Sequence, residues 1–177
     1  MRYLLAAFVV ALAPSAAAQG HPQTRDGFWI GFGLGYGSLS FSCSSGCSGS
    51  EGALSGYLKL GGTLSSKLLI GGETDGWTKT ASGTRVTAAN ASAVLYFYPS
   101  PTGGFFLRGG LGWASLSASS GGTTGSQSGA GAVFGVGYDI RVGTNMSVVP
   151  VANFNWGNLG SGVKQNVFQV ALGLTWH

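Results

Sequence analysis

From Phe28 to Gly37 the chain reads FWIGFGLGYG: large apolar side chains hold every even position and, after Trp29, glycine holds every odd one. Side chains of an extended strand point alternately to opposite faces, so this segment carries one apolar face and one nearly bare face. Comparable alternation recurs along the chain and predicts eight strands, at roughly 27–41, 52–64, 68–78, 85–98, 105–116, 129–141, 146–157 and 166–177. The connections 65–67, 99–104 and 142–145 are short and turn-like, whereas 42–51, 79–84, 117–128 and 158–165 read as mostly longer loops rich in Gly, Ser and Thr. Every apolar run is broken well short of the roughly 20 residues a membrane-crossing helix needs. A chain of this kind can sit in a membrane only as a closed barrel. The expected fold class is all-β: a transmembrane antiparallel up-and-down β-barrel of eight strands, with ten as the alternative count.

Facing follows from placing charges inside. Strand two puts Leu54, Leu58, Leu60 and Leu64 on one face and Tyr57 and Lys59 on the other; strand three turns Ile70 and Thr74 outward, and Glu73 and Asp75 inward. Since both lipid faces are even-numbered, a turn at 65–67 sets Lys59 directly opposite Glu73. The same reasoning turns Leu107, Leu111, Trp113, Phe134 and Val136 outward and Arg108, Asp139 and Arg141 inward. In strand four Asn90, Ser92, Tyr96 and Tyr98 are expected inside, and in strand seven Asn153 and Asn155. Six charged residues, Lys59, Glu73, Asp75, Arg108, Asp139 and Arg141, thus form an expected lumen network with three of each sign. Aromatics near the strand ends, among them Phe28, Phe97, Tyr138 and Trp176 at one rim and Trp113 and Trp156 towards the other, fit interfacial girdles.

Composition agrees with a membrane setting. Charged residues make up 8% of the chain, too few for the surface of an ordinary soluble domain. The net charge of +4 is carried by scattered single residues, which excludes a nucleic-acid footprint. Met1-Arg2-Tyr3, an apolar run over Leu4–Ala13 and a small-residue site ending at Ala18 read as a secretory signal peptide, residues 1–18. A periplasmic tail at 19–26 and the barrel at 27–177 would follow. In an exported chain Cys43 and Cys47, close together in a polar segment, read as a loop disulfide.

Four segments carry a family likeness: Gly31-Phe-Gly-Leu-Gly-Tyr-Gly37, Phe106-Leu-Arg-Gly-Gly-Leu-Gly-Trp113, Gly135-Val-Gly-Tyr-Asp-Ile-Arg141 and Val170-Ala-Leu-Gly-Leu-Thr-Trp-His177. With these the chain resembles the small outer-membrane β-barrels of Gram-negative bacteria, of the OmpA-transmembrane-domain, OmpX and opacity-protein type. The resemblance implies periplasmic termini, insertion in outer-membrane lipid and handling by the barrel-assembly machinery. It implies that Val170, Leu172, Leu174 and Trp176 form the C-terminal assembly signal, although His177 follows the aromatic. No peptidoglycan-binding domain is expected after the barrel.

Candidate chemistry is sparse. Serine hydrolysis needs an activating histidine, and His21 and His177 stand at the chain ends. Glu73 and Asp75 are expected to pair with Lys59 as structural ions, not to act as an acid/base couple. Two thiols without nearby histidine fall short of a four-ligand zinc site, and the period-two glycines are wrong for a phosphate loop. The Asn90 and Asn145 sequons read as chance matches. No cofactor is expected, and the partners are lipid, the assembly machinery and an unidentified surface ligand, with Trp77, Lys79, Arg85 and Lys164 as candidate loop contacts. The expected function is non-enzymatic: a monomeric envelope or surface-interaction barrel whose lumen is plugged by paired charges. A narrow pore for ions or small solutes is the first alternative, and a soluble lipocalin-like binding barrel the second.

Overall fold

The computed structural model describes residues 25–44, 46, 48–160 and 162–177; the expected signal peptide, most of the tail, and Cys47 lie outside these residues. The described strands are β1 (Phe28–Cys43), β2 (Ser48–Ser65), β3 (Leu68–Ala81), β4 (Thr84–Phe97), β5 (Phe105–Ser120), β6 (Thr123–Tyr138), β7 (Ile140–Arg141), β8 (Met146–Asn158) and β9 (Val163–Trp176). Consecutive strands pair antiparallel except β6 and β7, which both pair β8, and β1 pairs β9. β7 continues β6 in the same register on β8. The result is a closed eight-stave barrel. The break between β6 and β7 falls at Asp139, whose backbone N–H donates to the Gly104 carbonyl at 2.8 Å, one rung beyond Phe105↔Tyr138.

Alternation explains the closure. Through the apolar belt the large even residues, Phe28 to Tyr36 on β1 and Leu54, Leu58 and Leu60 on β2, are exposed, while the odd residues Trp29, Gly31, Gly33, Gly37, Leu39, Ser55, Tyr57 and Lys59 are buried. The glycines of β1 clear space for bulky lumen side chains of β2 and β3. A Cβ on Gly33 would stand 2.5 Å from the Tyr57 ring, and one on Gly37 2.9 Å from Trp77. Lys59 lies opposite Glu73, but a bulge between Thr63 and Ser65 replaces the expected three-residue turn with Ser66 and Lys67 alone.

The expected long loops are corrected. β3–β4 closes at Ala81↔Thr84 and β5–β6 at Ser120↔Thr123. The two-residue turns Ser82-Gly83 (φ 49° and 76°) and Gly121-Gly122 (φ 56° and 84°) have positive φ throughout, the twist that suits hairpins. β1–β2 stays paired up to Ser42↔Ser48, and β8–β9 up to Asn158↔Lys164. The Gly/Ser/Thr-rich segments are therefore mostly strand. Beyond the last apolar ring both faces of these hairpins meet solvent, so nothing imposes the period-two contrast that marks a strand in sequence.

Candidate functional site

The chemistry of the molecule is concentrated in its lumen, which is layered. Near the rim that carries the chain ends, Trp29, Leu69, Val94, Tyr96, Tyr98, Phe106, Val133, Val149 and Val151 form an apolar and aromatic layer. Phe106 is the hub, with the rings of Tyr96 and Tyr98 each 5.4 Å away. Towards the opposite, far rim, Leu39, Trp77, Ala88 and Val167 form a second apolar layer. Polar groups fill the level between.

At that level Arg108, on β5, reaches past β4 to two carboxylates on β3. It forms ion pairs with Glu73 and, at 3.3 Å, with Asp75. The Tyr96 hydroxyl donates to Glu73 and accepts from Arg108 Nη1 at 3.4 Å. A buried cation with two carboxylates and a phenol around it has its charge and most of its hydrogen bonds answered. Alongside runs an amide chain: Asn153 Nδ2 donates to Gln169 Oε1 (2.7 Å), Gln169 Nε2 to Ser55 Oγ (2.7 Å), and Ser55 Oγ to the Gly76 carbonyl (2.8 Å).

The expected pairing of Glu73 and Asp75 with Lys59 is corrected. Although Lys59 stands beside Glu73 in the ladder, its ammonium lies among four rings, 4.8 Å from the centroid of Tyr96, 5.5 Å from Phe106 and 5.8 Å from Trp29 and Tyr57. The ring faces attract the cation, and Arg108, with a planar fork of donors, takes both carboxylates. Asp139 and Arg141 stand apart from this cluster, at the mouth of the barrel beside the chain ends.

That mouth holds residues the sequence reading assigned no role. Arg25, placed in the expected tail, is 6% exposed. Its guanidinium donates to the carbonyls of Ser66 (3.5 Å), Pro101 (3.2 Å) and Gly103, and lies 3.6 Å from the centroid of Tyr98. Its Nε is 3.8 Å from Asp139, which also accepts from the Tyr98 hydroxyl (2.8 Å) and stands 3.5 Å from His177 Nε2. An arginine just ahead of the first strand, in a chain with so few charges, was the available signal. Trp77, expected as a loop contact, is a lumen residue, 2% exposed, whose Nε1 donates to the Gly37 carbonyl at 2.9 Å.

Among the other expected contacts, Lys79 pairs with Glu51, while Arg85 and Lys164 are exposed. That pair links β2 to β3 just above Leu54↔Thr78, where their ladder stops. Cys43 ends β1 and is no free thiol, whereas Cys47 lies outside the described residues. Val170, Leu172 and Trp176 are exposed and Leu174 half-buried on the outer face of β9. Asn90 points into the lumen, donating to the Ala132 carbonyl at 3.3 Å, where no glycan fits.

Outside, the barrel carries an apolar belt that includes Phe32, Leu34, Leu58, Leu60, Ile70, Leu95, Leu107, Leu111, Phe134 and Leu172. Leu111 is 74% exposed. A closed barrel with its charges inside and a belt of this kind outside is built for lipid. The chain belongs to the outer membrane protein β-barrel domain family, whose model matches residues 4–175. Solved structures of the same fold include Ail, the attachment invasion locus protein of Yersinia pestis. Its TM-score is 0.62, with 17% identity over 85% of this chain and 99% of that one. Neisserial surface protein A (TM-score 0.57, 18% identity) covers 86% of this chain with 98% of its own. The N-terminal barrel domain of OprF from Pseudomonas aeruginosa (TM-score 0.55, 11% identity) also covers 86% with 98% of its own. No curated protein sequence matches the chain. The protein is an outer-membrane β-barrel of a Gram-negative bacterium, embedded in lipid.

Proposed function

We propose that the protein is a non-enzymatic barrel with a structural or surface-interaction role, and that its lumen is a plug and not a path. The observation that carries this reading is the filling of the lumen by Phe106, Tyr96 and the Arg108–Glu73–Asp75 cluster, all buried. Eight strands enclose a space that side chains alone can fill. Residues 1–18 serve as the export signal and the chain ends face the periplasm, so the far-rim hairpins face the exterior. The β9 positions Val170, Leu172, Leu174 and Trp176 serve as the assembly signal, and a Cys43–Cys47 bond pins the β1–β2 turn.

The hairpin tips offer Ser, Thr and Gly with few charges. A heparin analogue is bound in one structure of Ail; here, among the described far-rim residues, Lys79 is already held by Glu51, leaving Arg85 and Lys164 on separate strands. A surface partner would therefore engage mainly uncharged hairpin edges and tips. The decisive experiment is reconstitution into planar bilayers at low and high salt. A silent membrane is expected, and steady unitary currents that change with Arg108→Ala would replace the plug with a pore.

A further inference from the structure

At the far rim the barrel wall stops at different heights on the two sides of β6. With β5 it pairs out to Ser120↔Thr123, but with β8 only up to Ala130↔Asn158, where the chain leaves β8 for the β8–β9 turn. The last close approach is at Gly129, where a Cβ would stand 2.1 Å from the Asn158 carbonyl; a Cβ on Gly125 meets nothing within 4 Å. β9 is itself taken by β1, as far as Cys43↔Val163. Among the described residues, no strand therefore pairs with residues 123–128 on the side away from β5, and every one of them is exposed.

Ser120 and Thr123 flank the Gly121-Gly122 turn and so exchange hydrogen bonds with each other. By the alternation of an antiparallel ladder, Thr124, Ser126 and Ser128 then turn their N–H and C=O groups away from β5. Edges of this kind are commonly blunted by charge, proline or a bulge. Residues 123–128, Thr-Thr-Gly-Ser-Gln-Ser, contain neither charge nor proline, and their register with β5 is unbroken. The other break at this rim, between β2 and β3 above Leu54↔Thr78, is bridged by Lys79 and Glu51. One break is fastened and the other is open.

We propose that the free edge of β6 at Thr124, Ser126 and Ser128 is a docking site for an extended segment of another polypeptide outside the cell, which adds to the barrel wall as a further strand. This rests on the surface-interaction role proposed above and names its surface and mode. Main-chain hydrogen bonds hold a strand added in this way, so recognition asks for an extended, proline-free backbone more than for particular side chains. A second copy fits poorly. Barrels in one membrane share an axis direction, and strands tilted from it by roughly 35–45° cross at about twice that angle when two copies face each other, too steep for a ladder.

The test is titration of the folded barrel in detergent micelles with a dye-labelled peptide alternating threonine and glutamine, read by fluorescence anisotropy and by amide hydrogen exchange. Saturable binding is expected, with exchange slowed at Thr124, Ser126 and Ser128. Ser126→Pro removes an outward N–H while leaving the β5 ladder in place. It should weaken binding about tenfold or more, whereas Ser126→Ala should bind as the original chain does, and both should keep the gel shift of a folded barrel. The same peptide with its amides N-methylated should not bind. Failure to saturate, or binding unchanged by Ser126→Pro, would overturn the proposal. So would protection at β2 or at a hairpin turn in place of β6, which would leave the protein a surface role without this edge. Slowed exchange at the edge that grows with barrel concentration in the absence of peptide would overturn it in favour of a second copy. The bilayer recording does not depend on this edge, so a conducting lumen and a failed docking site are separate results.

Discussion

Arg108 and Lys59 are both buried lumen cations, yet they should respond oppositely to removal. Arg108→Ala strands Glu73 and Asp75 without their guanidinium, and breaking a buried pair in this way costs about 3–5 kcal/mol. Lys59→Met removes a cation held by rings and not by carboxylates, so its cost should stay below about 2 kcal/mol. Urea unfolding of the two variants in micelles checks the contrast, and a larger loss for Lys59→Met would contradict the pairing described above. A second contrast concerns glycine. Gly33→Ala drives a Cβ into the Tyr57 ring, whereas a Cβ on Gly76 meets nothing within 4 Å. Gly33→Ala should therefore destabilise by about 1–3 kcal/mol, and Gly76→Ala should be neutral or stabilise by up to about 1 kcal/mol. Which way a residue faces was readable from parity, because lipid and lumen select opposite chemistry at adjacent positions. Which lumen partner it meets was not, since Arg108 reaches over a whole strand while the ladder neighbour of Glu73 turns to aromatic rings.

At the level of strands and turns, the apolar alternation located every stave, and failed only where the chain leaves the membrane. β5 and β6 remain paired out to Ser120↔Thr123, although the segment 117–128 reads as a loop by composition. Hydrogen bonds between neighbours, not burial, hold these hairpins, and a backbone ladder leaves no signature in side-chain polarity. The hairpin should thus be dispensable for closure. Replacing Ser117–Ser126 with Asn-Gly, which joins the pair Leu116↔Gln127 through a tight turn, is expected to leave the heat-dependent gel shift unchanged. Loss of that shift would mean that the extension helps to close the barrel.

For the molecule as a whole, the question is what fastens the two ends of a closed sheet. The ladder does most of this through β1–β9, from Ile30↔Trp176 to Cys43↔Val163. The residues just outside that ladder add a second fastening: Arg25 precedes β1, His177 follows β9, and both come to Asp139 at the β6–β7 break. Arg25 also ties together the β2–β3 and β4–β5 turns through Ser66, Pro101 and Gly103. One buried carboxylate thus joins the segment just before β1, the residue just after β9 and the β6–β7 break, an arrangement invisible in sequence because the three residues belong to no shared motif. If the contact is energetic and not merely spatial, Arg25→Ala and Asp139→Asn should fail to add. Each single variant should lower the unfolding free energy, and the double-mutant cycle should return a coupling of about 0.5–3 kcal/mol. Additive losses would reduce Arg25 to a residue that packs on Tyr98 and bonds to turn carbonyls, leaving closure of the barrel to the strand ladder alone.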